Sequence, residues 1–162
     1  VSFVPASRSL VAALAPWAHP LAFVPLPGWQ TGMSGTHSAY VKTVLESSAW
    51  MARNVRYRDD AAADPPNKTL AHLPRTGVIV WAVISTSAQH GAKPIRLDLG
   101  KAKRFDCCEG AYVAGGEYEL SGSGPGGRYW VIVRIYFGSR PTAALRAEAQ
   151  HALDRLELPS PR

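Results

Sequence analysis

The chain has 162 residues, of which 46% are apolar and 19% charged, and it carries a formal net charge of +6 at pH 7. That is long enough for one domain with its own core, and too apolar for a disordered chain. No apolar run approaches the roughly 20 residues of a membrane-spanning helix, and the two cysteines, Cys107 and Cys108, are chain neighbours that cannot staple a secreted disulfide scaffold together.

Residues 1–36 hold prolines at 5, 16, 20, 25 and 27. An extended, irregular segment is expected there, lying on the core edge through Phe23, Leu26 and Trp29. Its first part, VSFVPASRSLVAALAPWAHPLAF, has a short apolar run after Arg8 that resembles a signal peptide, a reading against which its brevity, its prolines and the lack of a clean small-x-small cleavage site all weigh. Thr31–Thr36 reads as a loop. Ser38–Leu45 fits helix or strand, and its β-branched residues favour strand. Trp50–Arg58 reads as a strand in which Val55 and Tyr57 alternate with Arg56 and Arg58.

Asp59–Pro66 reads as a loop, and Asn67 is placed to cap a short helix closed by Pro74. Val78–Ser85, VIVWAVIS, is apolar throughout and of strand length, which predicts a central strand. Ile95, Leu97 and Leu99 alternate with Arg96 and Asp98, and Tyr118 and Leu120 with Glu117 and Glu119, so two half-buried strands are expected. Ser121–Arg128, SGSGPGGR, reads as a hairpin connection. Tyr129–Phe137 is apolar on both faces apart from Arg134, predicting a second central strand. Pro141 suits the first position of a helix that buries Leu145, Ala149, Ala152, Leu153 and Leu156, before Pro159 stops the run.

The fold class expected is therefore α+β: a mostly antiparallel β-sheet with a C-terminal helix packed on it and a Pro-rich extended N-terminal segment. The segment covers 1–36, and a single α+β domain covers 37–162.

The segments PGW at 27–29, SAWMARNV at 48–55, PPNKTLAHLPRTGVIV at 65–80 and YFGSRPTAALRAEAQHALDRL at 136–156 together resemble a family of uncharacterised actinobacterial domains. The likeness spans most of the chain and rests on turn, cap, strand and helix motifs. It implies a single domain and brings no activity or catalytic residue with it.

Few strings carry chemistry. GSGPGGR at 122–128 precedes a strand rather than a helix and has no Lys-Ser/Thr, so it reads as a hairpin and not a phosphate loop. Cys107 and Cys108 have no Cys-x-x-Cys, and the histidines (19, 37, 72, 90, 151) form no HExxH, so no metal and no cofactor are expected. Lys103 and Arg104 would lower a thiol pKa there while Asp106 and Glu109 oppose them, which favours two structural thiols. Gly32-Met33-Ser34-Gly35 lacks the spacing of a nucleophile elbow, although Ser34 lies near His37. Asp59, Asp60 and Asp64 lack the ligand spacing of a calcium loop.

Charge is the clearer signal. Lys93, Arg96, Lys101, Lys103 and Arg104 crowd one stretch against Asp98, which suggests an anion-binding set of Arg96, Lys101, Lys103 and Arg104 together with Arg134. Arg134 must reach solvent or pair with a carboxylate such as Glu117 or Glu119. Arg53, Arg56, Tyr57 and Arg58 add a loose basic and aromatic pattern of the kind that binds nucleic acid.

With no converging acid, base, nucleophile or metal set, the leading expectation is a non-catalytic structural or protein-interaction domain, alone or as a subunit of a larger assembly, whose partner is a protein, self or other. The alternative is a binder of anionic polymers, nucleic acid above all, through the basic strand and loop. A small thiol- or serine-dependent enzyme ranks below both. The cysteine usage favours a cytoplasmic setting over a secreted one.

Overall fold

The computed structural model describes residues 21–34, 46–57, 67–85, 91–105 and 114–160. Strands β1 (Ala22–Phe23), β2 (Trp29–Ser34), β3 (Glu46–Arg53), β4 (Val78–Ser85), β5 (Lys103–Arg104), β6 (Glu117–Ser123), β7 (Trp130–Phe137) and β8 (Leu156–Glu157) run through them, with helices α1 (Asn67–Ala71) and α2 (Ala143–Leu153). Six strands form one antiparallel sheet in the order β2-β3-β4-β7-β6-β5, while β1 and β8 pair apart from it. The fold is α+β, with the C-terminal helix on one sheet face.

The two strands that are apolar on both sides, β4 and β7, occupy the sheet centre, as their composition requires. Val78, Val80, Ala82 and Ile84 of β4 pair with Phe137, Ile135, Val133 and Val131 of β7, and all of them face α2. From the helix Leu145, Ala149, Ala152 and Leu153 close on this face, at the spacing of a helical stripe. Each large side chain removed from water there contributes roughly 1.5–3 kcal/mol. On the opposite face Ile79, Trp81 and Tyr136 pack with Ala52, Tyr57 and Leu70, so a smaller second core lies under α1.

The helix starts two residues later than proline placement predicts. Thr142 is its N-cap, with Oγ1 accepting from the Leu145 N–H at 3.1 Å, and Pro141 lies just outside. Leu156 also leaves the helix, which ends at Leu153, and pairs in β8 with Phe23. Leu21 and Phe23 are buried, and Leu26 and Trp29 pack against the same core, as expected of the N-terminal segment.

Three further expectations are corrected. Thr31–Ser34 is strand and not loop, since β2 pairs with β3 along its whole length; a Cβ at Gly32 would lie 2.6 Å from the Trp50 indole, so glycine lets that ring lie over the strand. The strand predicted at Trp50–Arg58 ends at Arg53, where Asn54 takes φ 55° and turns the chain; Tyr57 then stacks on Trp50 with ring centroids 3.9 Å apart. Ile95–Leu99 alternates in burial but forms no strand, only a parallel bridge from Pro94 to Ser123, before a 3-10 turn at Leu99–Lys101. The predictions for Ser38–Leu45 and Asp59–Pro66 lie outside the described residues.

Tyr129, fully buried at the start of β7, donates to the Pro159 carbonyl at 2.5 Å and ties the chain after α2 to the β6–β7 hairpin. Burial raises its pKa from 10.0 to about 12. The folded protein thus holds this proton where the unfolded chain releases it. The resulting stability is complete below pH 10.0 and drains away as pH rises toward about 12, by about 2–3 kcal/mol. Burial moves Tyr136 upward too, adding to the alkaline loss. Tyr129→Phe is expected to cost about 1 kcal/mol at neutral pH through the lost hydrogen bond, and to flatten the alkaline limb. Urea unfolding at neutral and alkaline pH checks both; an unchanged alkaline limb would exclude Tyr129 as its source.

Candidate anion-binding groove

The residues that reach the outer edge of β6 come from one excursion of the chain, 93–105, attached at both ends. At its start Ile95 N–H donates to the Ser123 carbonyl and Ser123 N–H to the Lys93 carbonyl, both at 2.9 Å. Gly122 permits that approach, since a Cβ there would lie 2.7 Å from the Ile95 backbone. At its end β5 pairs with β6 through Lys103–Glu119 and Arg104–Tyr118, and Phe105 N–H donates to the Glu117 carbonyl at 2.9 Å.

Between these arms the excursion is held to the body of the protein. Ile95, Leu97 and Leu99 rest against the main core. Gln150 of α2 clamps it from both sides of its amide: Nε2 donates to the Leu97 carbonyl and Oε1 accepts from the Leu99 N–H, each at 2.8 Å. Asp98 Oδ1 accepts from the Gly100 N–H at 2.9 Å and so caps the 3-10 turn that carries Lys101. Burial therefore alternates along 95–99 because Arg96 and Asp98 point away from the core, not because a strand ladder forms.

The space between the arms is an open groove of about 700 Å³, walled by Lys93, Arg96, Lys101, Lys103, Arg104 and Phe105, with Glu119, Leu120 and Ser121 along its base. The five cations are all exposed. Among the described residues Lys93, Arg96, Lys101 and Lys103 enter no ion pair. Among the described residues lining the groove the one carboxylate is Glu119, and it is engaged from behind: Arg134 Nε donates to its Oε2 at 3.2 Å and lies 3.9 Å from Glu117 Oε1. Among the described residues the groove thus gathers more positive than negative charge in a concavity, which focuses potential more strongly than the same charges spread on a convex surface.

Of the anion-binding residues expected from sequence, Arg96, Lys101, Lys103 and Arg104 meet in this groove and Lys93 joins them. Arg134 does not line it. It stands in a row across the sheet, Gly32-Trp50-Trp81-Arg134-Glu119-Lys103, with its guanidinium 5.9 Å from the Trp81 ring centroid and 4.5 Å from that of Phe105. Its charge serves the carboxylates beside it. Arg53 pairs with Glu148 of α2 and Tyr57 is buried, and neither they nor Arg56, the described members of the second basic and aromatic pattern, line the groove. Cys107, Cys108, His19, His37, His90, Asp59, Asp60, Asp64 and Arg58 lie outside the described residues.

Phe105, Glu119 and Ser121 were not singled out from sequence as members of this site. Gly122, which the sequence places in the hairpin connection, lies inside β6 and is the signal that was available, because an interior strand glycine often marks close approach of another backbone. The connection expected at Ser121–Arg128 is shorter: Ser121, Gly122 and Ser123 belong to β6 and pair with β7, and the turn proper is the 3-10 turn at Pro125–Gly127, which leads into a strand. Among the described residues no three of His, Cys, Asp and Glu gather as metal ligands would, and no helix is long and apolar enough to cross a membrane. No family model, curated protein or solved structure matches the chain.

Proposed function

We propose that this protein is a non-catalytic interaction domain whose working surface is the basic groove, and that an anionic polymer occupies it. The supporting observation is the gathering of Lys93, Arg96, Lys101, Lys103 and Arg104 around one concavity in which, among the described residues, the carboxylate present, Glu119, is already held by Arg134. Like charges packed this closely repel one another, and an anion relieves that cost. The anchoring of the excursion by Gln150 and by Ile95, Leu97 and Leu99 supports a site that is ready before its ligand arrives, so less ordering entropy is lost on binding. Among the described residues no histidine or cysteine lines the groove, and the chemistry they offer is charge and hydrogen bonding. The resemblance to actinobacterial domains adds no activity to this.

Binding to immobilised heparin or polyphosphate, followed as salt is raised, tests the proposal. Neutralising four to five anionic groups gives a slope of log K against log salt near about −3. Retention that ignores salt, or no retention in dilute buffer, rejects it and returns the protein-interaction reading to first place. For that reading Met33, 59% exposed on β2, is the feature to probe.

A further inference from the structure

We propose that the break in the β6 edge is a phosphodiester seat for single-stranded nucleic acid, with one base stacked on Phe105; this rests on the groove being a polyanion site. Gly124 N–H donates to the Tyr129 carbonyl and Phe137 N–H to the Gly116 carbonyl. The even-numbered residues of β6 therefore turn their backbone groups toward β7, and the odd-numbered ones toward the outer edge. On that edge Glu117 and Glu119 are taken by the arm at 103–105 and Ser123 by the arm at 93–95. Ser121 falls between the arms. It is exposed, and its edge-directed N–H has no partner among the described residues.

A backbone N–H directed into a ring of lysines and arginines suits a phosphate oxygen, since sheet edges with free amides form anion-binding concavities. The same opening is one residue long, so a peptide cannot add to the sheet there as a further strand. Phe105 supplies what a purely ionic site lacks. Arg134 covers one face of its ring, so the half-buried ring meets the groove through its other face or its edge. An aromatic wall beside a phosphate seat suits a nucleotide with its base unpaired, whereas a duplex keeps its base faces stacked inside.

Fluorescence anisotropy of a short labelled oligothymidylate tests the proposal, with inorganic polyphosphate, the corresponding duplex and polyglutamate as competitors. The oligothymidylate is expected to bind tighter than any competitor of equal charge. Phe105→Leu should weaken it about tenfold and leave polyphosphate unchanged, while Phe105→Tyr retains binding. Ser121→Pro removes the edge-directed N–H at a position where an edge strand tolerates proline, and should weaken oligothymidylate and polyphosphate alike. Circular dichroism confirms that each variant is folded. Equal binding of polyphosphate and oligothymidylate, with Phe105→Leu indifferent to both, overturns the stacked base while the basic groove stands. Tighter binding of duplex or polyglutamate overturns the single strand as occupant. Absence of binding to every polyanion overturns the groove itself.

Discussion

Replacing Lys93, Arg96, Lys101 and Lys103 together by glutamine is expected to abolish most of the salt sensitivity of polyanion binding and leave the fold intact. With about four to five phosphates neutralised, the wild-type chain loses about 60-fold in affinity between roughly 50 and 200 mM salt, at about 0.7 log units per contact for a single strand. The variant keeps Arg104 alone on the groove wall and should lose only about threefold over the same range. At low salt its affinity falls by two orders of magnitude or more, on the order of 1 kcal/mol for each charge-assisted contact removed. Stability should move by less than about 0.5 kcal/mol, because these exposed side chains form no ion pair among the described residues. Salt-dependent anisotropy and a urea titration read the two quantities separately. A variant that binds with the wild-type slope would place the polyanion elsewhere on the protein.

This site was partly legible in the sequence. The density of Lys and Arg between 93 and 104 is a one-dimensional fact, and the structure folds that stretch back on itself so that the charges face one another. What the chain order concealed was the fold-back. Period-two burial at Ile95, Leu97 and Leu99 resembles a strand, yet any extended arm lying on a core shows it. Only a ladder distinguishes the two cases, and here there is just the bridge at Pro94–Ser123, which a distant glycine, Gly122, admits. Phe105 escaped for a related reason: it lies at the end of β5, and its place in the groove is set by β6 and by Arg134 on β7.

The same contrast runs through the fold. β4 and β7 were legible because apolar residues on both faces have one home, the middle of a covered sheet. The stripe Leu145, Ala149, Ala152 and Leu153 was legible because helical spacing fixes which residues share a face. β2 was not. WQTGMS has no alternation and one β-branched residue, Thr31, to announce a strand, and it pairs along its length with β3, where Trp50 fills the place of the missing side chain at Gly32. Local propensity loses there to a contact between strands.

Arg134 is where fold and site meet, and its replacement tests which of them it serves. Arg134→Met keeps an unbranched stem in the row between Trp81 and Glu119 and removes the charge. Glu117 and Glu119, with side chains 11% and 21% exposed, are then left in a sparsely hydrated place without their cation. Stranding one partner of a fully buried pair costs about 3–5 kcal/mol, and the residual exposure here lowers the expected loss to about 2–3 kcal/mol. Oligothymidylate affinity should fall severalfold as well, although Arg134 does not line the groove, because Glu119 at its base would then act as an unbalanced negative charge on an incoming phosphate. Adding Glu119→Gln separates the roles. If Arg134 works by neutralising Glu119, the double variant regains both part of the stability and the affinity, since the stranded charge is gone. If the guanidinium itself contacts the polyanion, stability returns but binding stays weak. Urea midpoints and anisotropy on the two single variants and the double variant form a complete cycle, and recovery of stability without recovery of affinity would move Arg134 from the support of the groove into its lining.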